Sequence, residues 1–191
     1  RVSRPFQLVH SDVWGPHRIT SIKGYRYFVS FVDDFSRTTW LYLMKNRAEL
    51  FSIFCAFCNE VKTQFNVPIQ ILRSDNAQEF LSHPFSTYMI SYEMLHQSYC
   101  VHTPQQNGVA ESKNRHLLEV TCTSLFEMGV PKCFWGDAVL TACHLINRMP
   151  SSILDGRTPH ATLFPTEPLF PLAPVFLGAY VSSTNFHPVR I

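Results

Sequence analysis

The sequence contains no apolar run near the roughly 18 residues that a membrane-crossing helix requires, so no membrane partner is expected. It is also poor in charge. Asp, Glu, Lys and Arg make up 16% of its 191 residues, against 46% apolar residues. That balance excludes a disordered or fibrous chain and suits one domain of ordinary size, or one domain with a tail. A chain of this length buries enough surface to fold without disulfides or a structural metal. No Walker loop, dinucleotide fingerprint or legible Ser/His/Asp arrangement is present. The cysteines at 55, 58, 100, 122, 133 and 143 lack finger spacing. Cys55 and Cys58 do form a C-x-x-C, but no second Cys or His pair follows it. The readings are helix cysteines or, less simply, a zinc site. With no secretory leader at its start, the chain is expected to be reduced and intracellular. It begins at Arg1 rather than Met, so it is expected to be a piece of something longer.

The formal net charge is only +2, but it is unevenly distributed. Residues 1–48 hold eight Lys/Arg and three Asp/Glu, a net of +5, and the remainder holds eight against eleven, a net of −3. A basic first quarter is compatible with a phosphate-facing surface or with an ordinary solvated face.

The hydrophobic pattern sets the element order. Gln7 to Val13 reads as a strand ending at Trp14-Gly15-Pro16, a turn signal. Tyr25 to Val32 and Thr38 to Met44 read as a hairpin around Asp33-Asp34-Phe35-Ser36-Arg37. Leu50, Ile53, Phe54, Phe57, Val61 and Phe65 fall on one face of an amphipathic helix, which Val67-Pro68 ends. Ile69 to Leu72 reads as a short strand, Pro84 to Met94 as a helix and Leu95 to Val101 as a strand. A polar loop from His102 to Gly108 leads into a helix to Met128, and a further helix covers Phe134 to Arg148. Seven of the thirteen prolines lie in 150–191. The expected organisation is therefore a core over residues 1–150 and a Pro-rich extension over 151–191, packing on the core or partly loose. The element order points to an α/β architecture, a mixed five-stranded sheet flanked by helices.

Three acids stand where such a sheet presents chemistry. Asp12 lies at the end of the first strand, Asp75 follows Ile69–Leu72, and Glu111 lies one turn into a helix. Converging carboxylates bind hard divalent cations, and two such ions can clamp the attacking and leaving oxygens of a phosphodiester. Asn107, Glu111 and Arg115, spaced i, i+4, i+8, share a helix face, either a metal ligand flanked by phosphate- or base-binding groups or a solvated face. Leu117, Leu118, Val120 and Leu125 would supply the core side. Asp33-Asp34 could bind a cation, but hairpin turns favour Asp for backbone reasons. His102 and His116 could face a ligand or solvent. Trp14, Trp40 and Trp135 could pack or serve as stacking platforms.

Several words then line up in order. They are His10-Ser-Asp-Val-Trp-Gly-Pro16, Tyr27-Phe-Val-Ser-Phe-Val-Asp-Asp-Phe-Ser-Arg37, Leu72-Arg-Ser-Asp-Asn76 with Glu79-Phe80, and Thr103-Pro-Gln-Gln-Asn-Gly-Val-Ala-Glu111. Lys113-Asn-Arg115, Phe134-Trp135 and Leu145-Ile-Asn-Arg-Met-Pro-Ser151 follow. Asp75 and Glu111 are separated by 35 residues (111 − 75 − 1). Over roughly residues 5–180 the chain resembles the integrase catalytic core of copia-type long-terminal-repeat retrotransposons.

The resemblance implies a ribonuclease H-like fold. It implies Asp12, Asp75 and Glu111 as both catalytic and metal-binding residues, with Mg²⁺ or Mn²⁺, two ions, as cofactor. It implies Asn107, Lys113 and Arg115 as DNA contacts. The implied activity is that of a polynucleotidyl transferase and endonuclease joining element DNA 3′ ends to target DNA. The implied partners are double-stranded DNA (element ends and target) and further copies of the chain. An upstream zinc module and downstream polyprotein segments are expected in the full-length protein. The expected site of action is the nucleus, reached from a cytoplasmic particle. The chain departs from the family pattern at Ala77 and Gln78, where two glycines are usual, and at Ser112, where many copia-type chains have Arg. These departures keep open a degenerate, inactive or co-opted DNA-binding or assembly module. A plain nuclease of the same fold is a third reading, disfavoured by the 35-residue spacing and the Thr103–Glu111 word.

Overall fold

The computed structural model describes residues 2–75, 77–98 and 108–170. Five strands form one mixed sheet in the order β3-β2-β1-β4-β5. β1 (Leu8–Trp14), β2 (Tyr27–Asp33) and β3 (Thr39–Met44) run antiparallel, and β4 (Ile71–Ser74) and β5 (Leu95–Ser98) continue parallel to β1.

Period-2 alternation divides the strand residues between two cores. On one face Val9, Val13, Val29, Phe31, Trp40 and Met44 meet α1 (Leu50–Phe65) and α2 (His83–Ser91). Leu50, Phe54, Phe57 and Val61 of α1 are buried, the stripe expected from the sequence. Phe57 stacks on Phe31 with centroids 4.4 Å apart and planes 4° from parallel. Burying each such ring contributes roughly 1.5–3 kcal/mol, so Phe57→Ala is among the costliest single changes here. α1 ends where Asn66 turns left-handed (φ 54°) and donates its N–H to Lys62 O, a conformation Asn tolerates well.

On the other face Phe28 and Leu41 pack against α3 (Gly108–Glu127) and α4 (Trp135–Ile146), through Leu117, Trp135, Val139 and Ala142. Asn147, just past α4, donates from Nδ2 to Thr39 O (2.8 Å) and accepts from Thr39 N–H at Oδ1 (2.9 Å). Its amide thus pairs with the outer backbone of β3 and blunts that sheet edge.

Packing continues past Pro150, beyond the limit expected for the core. A 3₁₀ turn at Ser152–Leu154 and α5 (Pro159–Leu163) follow, and Leu154, His160, Leu163 and Phe164 are buried. Thr158 caps α5 by accepting from Ala161 N–H, and Pro159 occupies the first turn, where its missing N–H costs nothing. High proline content does not prevent structure when a proline starts a helix. Residues 171–191 of the expected extension lie outside the described residues.

The two hairpin acids are both committed to structural partners, Asp33 mainly to backbone N–H groups and Asp34 to basic side chains. Asp33 accepts from Phe6 N–H (2.8 Å), Ser36 N–H (2.9 Å) and Ser36 Oγ (2.7 Å), and Asp34 pairs with His10 and Arg37, each at 3.1 Å.

Candidate active site

The parallel register of β1 and β4 sets Leu8 beside Ile71 and Ser11 beside Ser74. Asp12 is the next residue of β1, and Asp75 directly follows the last residue of β4, so continuing that register would bring the two acids next to each other. The charge of Asp75 acts on Asp12, so the two carboxylates lie within electrostatic reach of one another.

Asp12 is held above the ordinary carboxylate range by burial first, then by repulsion from Asp75 and Glu111, with the Asn114 hydrogen bond opposing. Asp75 is also raised, first by burial and then by Glu79 and Glu111, while the Ala77 N–H and the nearby Arg47 act against this. Glu111 is exposed in the first turn of α3, within electrostatic reach of both aspartates. The three acids therefore share one field. They do not stand tightly together: among the described residues no group of three His, Cys, Asp or Glu side chains is placed to hold an ion. All three are oxygen donors, which is the chemistry Mg²⁺ and Mn²⁺ take. The residues present fit such a cation once their mutual repulsion is neutralised.

Asn114, overlooked in the sequence, organises this end of the sheet. It is 3% exposed on the face of α3 that carries Ala110, Leu117 and Thr121. Its Nδ2 donates to Asp12 Oδ2 (2.9 Å), and its Oδ1 accepts from Ser30 Oγ (2.7 Å), Ser30 being the residue opposite Asp12 on β2. One amide thus links β1, β2 and α3 through the first acid. The buried stripe of α3 is 110, 114, 117 and 121 rather than the expected purely apolar set. Leu118, Val120 and Leu125 pack at its side. The signal available in the sequence was a polar residue one helical turn before a buried leucine, within an i, i+4, i+7 stripe.

The expected DNA contacts separate. Arg115 is exposed one turn beyond Glu111. Lys113 is half-buried, its pKa lowered first by burial and also by the nearby Arg37, and none of the three acids is among the groups that shift it. Asn107 lies outside the described residues, as does His102, while His116 is exposed. Ala77 sits half-buried against the main core; its N–H reaches Asp75 Oδ1 (3.3 Å) and its carbonyl accepts from Phe80 N–H (3.0 Å). The extra methyl thus finds apolar company. Gln78 and Ser112 are exposed. Arg47 pairs with Glu79 at 3.2 Å, beside Asp75. No helix among the described residues is long and apolar enough to cross a membrane.

Residues 2–104 match the family model described as integrase core domain, a stretch containing Asp12 and Asp75 but ending before Glu111. The retrovirus-related Pol polyprotein of the tobacco (Nicotiana tabacum) transposon TNT 1-94 is 44% identical over 144 residues, 75% of this chain. Those of the Arabidopsis thaliana transposons RE2 and RE1 are 38% and 37% identical over 174 residues, 91% of this chain. The chain spans only 11–12% of these relatives' lengths. Among solved structures, the HTLV-2 integrase catalytic core domain in complex with magnesium, trimeric form, aligns with TM-score 0.60 and 20% identity. That alignment covers 83% of this chain and 97% of the other. A simian T-cell lymphotropic virus intasome chain aligns with TM-score 0.66 and 18% identity, covering 90% of this chain and 58% of that one. These likenesses carry the fold, a ribonuclease H-like mixed sheet between helical layers. The sequence matches carry more: the chain belongs to the integrase core family, as found in copia-type retrotransposon Pol polyproteins.

Proposed function

We propose that this domain joins the 3′ ends of element DNA to target DNA, using Asp12, Asp75 and Glu111 as one divalent-cation site. What supports the reading is that Asp12 and Asp75 follow the last paired residues of the β1–β4 register and that both feel the charge of Glu111. In the reaction a 3′-hydroxyl oxygen attacks a target phosphorus. One P–O bond forms, the target's P–O3′ bond breaks, and the proton of the attacking hydroxyl passes through solvent to the leaving oxygen. One phosphodiester replaces another, so no external energy source is needed. Bound Mg²⁺ or Mn²⁺, held by the three carboxylates, would supply charge neutralisation at the phosphate and an activated attacking oxygen.

The chain's own groups set the geometry. Asn114 fixes the Asp12 carboxylate against β2, and the Ala77 N–H steadies Asp75 Oδ1. Arg115, in solvent one turn from Glu111, is available to a DNA phosphate. Self-association on two DNA ends, and action in the nucleus after passage through a cytoplasmic particle, belong to the same proposal. Joining of a labelled duplex end to plasmid DNA in Mg²⁺ or Mn²⁺ tests it: the chain yields product and Asp75→Asn yields none. Product from a folded Asp75→Asn protein refutes the role of Asp75.

A second reading, a DNA-binding or assembly module without catalysis, is favoured by the absence of a tight three-ligand group among the described residues. Ten millimolar Mg²⁺ separates the two. At ten times its Kd a cation adds about 1.4 kcal/mol, or about 3–6 °C in melting temperature, whereas the module gains nothing.

A further inference from the structure

Beyond the acids, β1 runs into a second feature with its own chemistry. Asp12 and Trp14 point to the same face of β1. Just past Trp14 lies an open cleft lined by Trp14, Pro16, His17, Arg18, Ile19 and Lys132. Its walls come from the β1–β2 connection and the turn before α4, which are far apart in sequence and fixed together. Trp135 donates from Nε1 to Ile19 O (3.0 Å), and the His17 ring stacks on Trp135 with centroids 4.9 Å apart and planes 25° from parallel. Ile19 N–H donates to His17 Nδ1 (3.1 Å), and His17 N–H to Arg26 O (2.7 Å). Gly15 permits the turn: at φ 127° any Cβ would meet Arg26 O and the Tyr27 ring at 2.7 Å. The loop is therefore set before any ligand arrives, which lowers the ordering cost of binding.

Arg18 and Lys132 are both exposed, and neither has an ion-pair partner among the described residues. Two cations lining the same cleft as the Trp14 and His17 rings attract phosphate and tolerate a sugar or base alongside. Trp14 lies about 7 Å beyond Asp12 along the strand, a span of about two nucleotide rises of 3.4 Å along a duplex axis. A polymer with its reacting phosphate at Asp12 and Asp75 would thus bring neighbouring phosphates over this cleft. We propose that the Arg18–Lys132 cleft grips the duplex DNA backbone a few nucleotides from the reacting phosphate and sets its register on the acids. This inference rests on the proposed function for its direction, but the binding it describes needs no metal.

The experiment is fluorescence anisotropy with a labelled 20-base-pair duplex, in EDTA, across a salt series, using the 191-residue chain. The paired substitution Arg18→Ala, Lys132→Ala should weaken binding about tenfold. It should reduce the slope of log Kd against log salt by about 2, one per lost phosphate contact. Arg18→Lys with Lys132→Arg should keep both values near those of the unaltered chain. Lys62→Ala with Arg157→Ala, which removes two exposed cations elsewhere, should change the slope no more than non-specific charge loss does. Because Arg18 and Lys132 lie at the surface, an unchanged melting temperature checks the fold. Unaltered binding in the Arg18/Lys132 variant, or an equal loss in the Lys62/Arg157 control, overturns the proposal. So does an acidic peptide that competes as well as DNA at equal charge, or a chain that binds no duplex at all. DNA joining with binding insensitive to Arg18 and Lys132 removes the cleft and leaves the proposed function. Cleft-dependent binding without any joining does the reverse.

Discussion

Asn114→Leu keeps the branched four-atom shape of the buried side chain but removes both of its hydrogen bonds. Asp12 loses the donor that opposes burial and the repulsion from Asp75 and Glu111, and Ser30 Oγ loses its acceptor at 2.7 Å. A hydrogen bond to a charged group contributes about 1.5–3 kcal/mol, and an orphaned buried hydroxyl costs about 1–3 kcal/mol. Partial access of water to Asp12 places the sum at the lower end, about 2–4 kcal/mol at pH 7. For a domain of this size each kcal/mol moves the melting temperature by about 2–4 °C, so a drop of about 4–16 °C is expected.

The pH dependence distinguishes this cause from simple misfit. Burial and repulsion raise the folded pKa of Asp12 above its ordinary 3.8, and losing the donor raises it further. Ionised Asp12 is therefore the destabilising form, and its cost is relieved as pH falls through the folded pKa. Melting followed by circular dichroism should show a penalty from Asn114→Leu that is larger at pH 7 than at pH 4. Equal penalties at the two pH values would refute the assigned role of the amide. A cycle with Ser30→Ala should show coupling, because the two side chains share one bond.

Other consequences follow from the same structure. Asp75→Asn removes one of the mutually repelling acids, so in EDTA at pH 7 the variant should melt about 2 °C or more above the unaltered chain while losing DNA joining; a lower melting temperature argues against repulsion at this site. The His10 hydrogen bond, aided by Arg37, holds Asp34 down at about 2. Its stabilisation is present above about pH 4 and lost as pH falls towards 2, so Asp34→Asn should cost about 1 kcal/mol at pH 7, after allowance for solvent screening, and almost nothing at pH 2. Phe164, buried against Phe65, should cost about 3 kcal/mol on change to Ala, whereas Phe170→Ala, 40% exposed, should cost under about 1 kcal/mol, both read by urea denaturation.

Local periodicity made much of this fold legible. The β2–β3 hairpin and the Leu50-to-Phe65 stripe depend on residues near in sequence, and both form close to their expected bounds. β4 starts at Ile71 rather than Ile69, although the Gln70 N–H already donates to Phe6 O in the same register. α5 was obscured by proline counting, although Thr158-Pro159 is a local start signal. The acids were visible as residue types and by their 35-residue spacing. Their placement depends on the register of β1 with β4, a pairing across 63 residues that no local pattern encodes. Asn114 went unread because a polar residue in a helix suggests solvent, whereas here it faces a carboxylate and a serine on the sheet.

Asp12, Asp75 and Glu111 share one field but stand apart, and they are expected to close on a divalent cation. A crystal of this chain soaked in Mn²⁺, read by anomalous difference density, addresses it most directly. If Asp12, Asp75 and Glu111 form the metal site, a Mn²⁺ peak appears between the ends of β1 and β4, with Asp12 and Asp75 oxygens at about 2.0–2.3 Å, and it disappears in Asp75→Asn. No peak there, or a peak that survives the substitution unchanged, contradicts the claim.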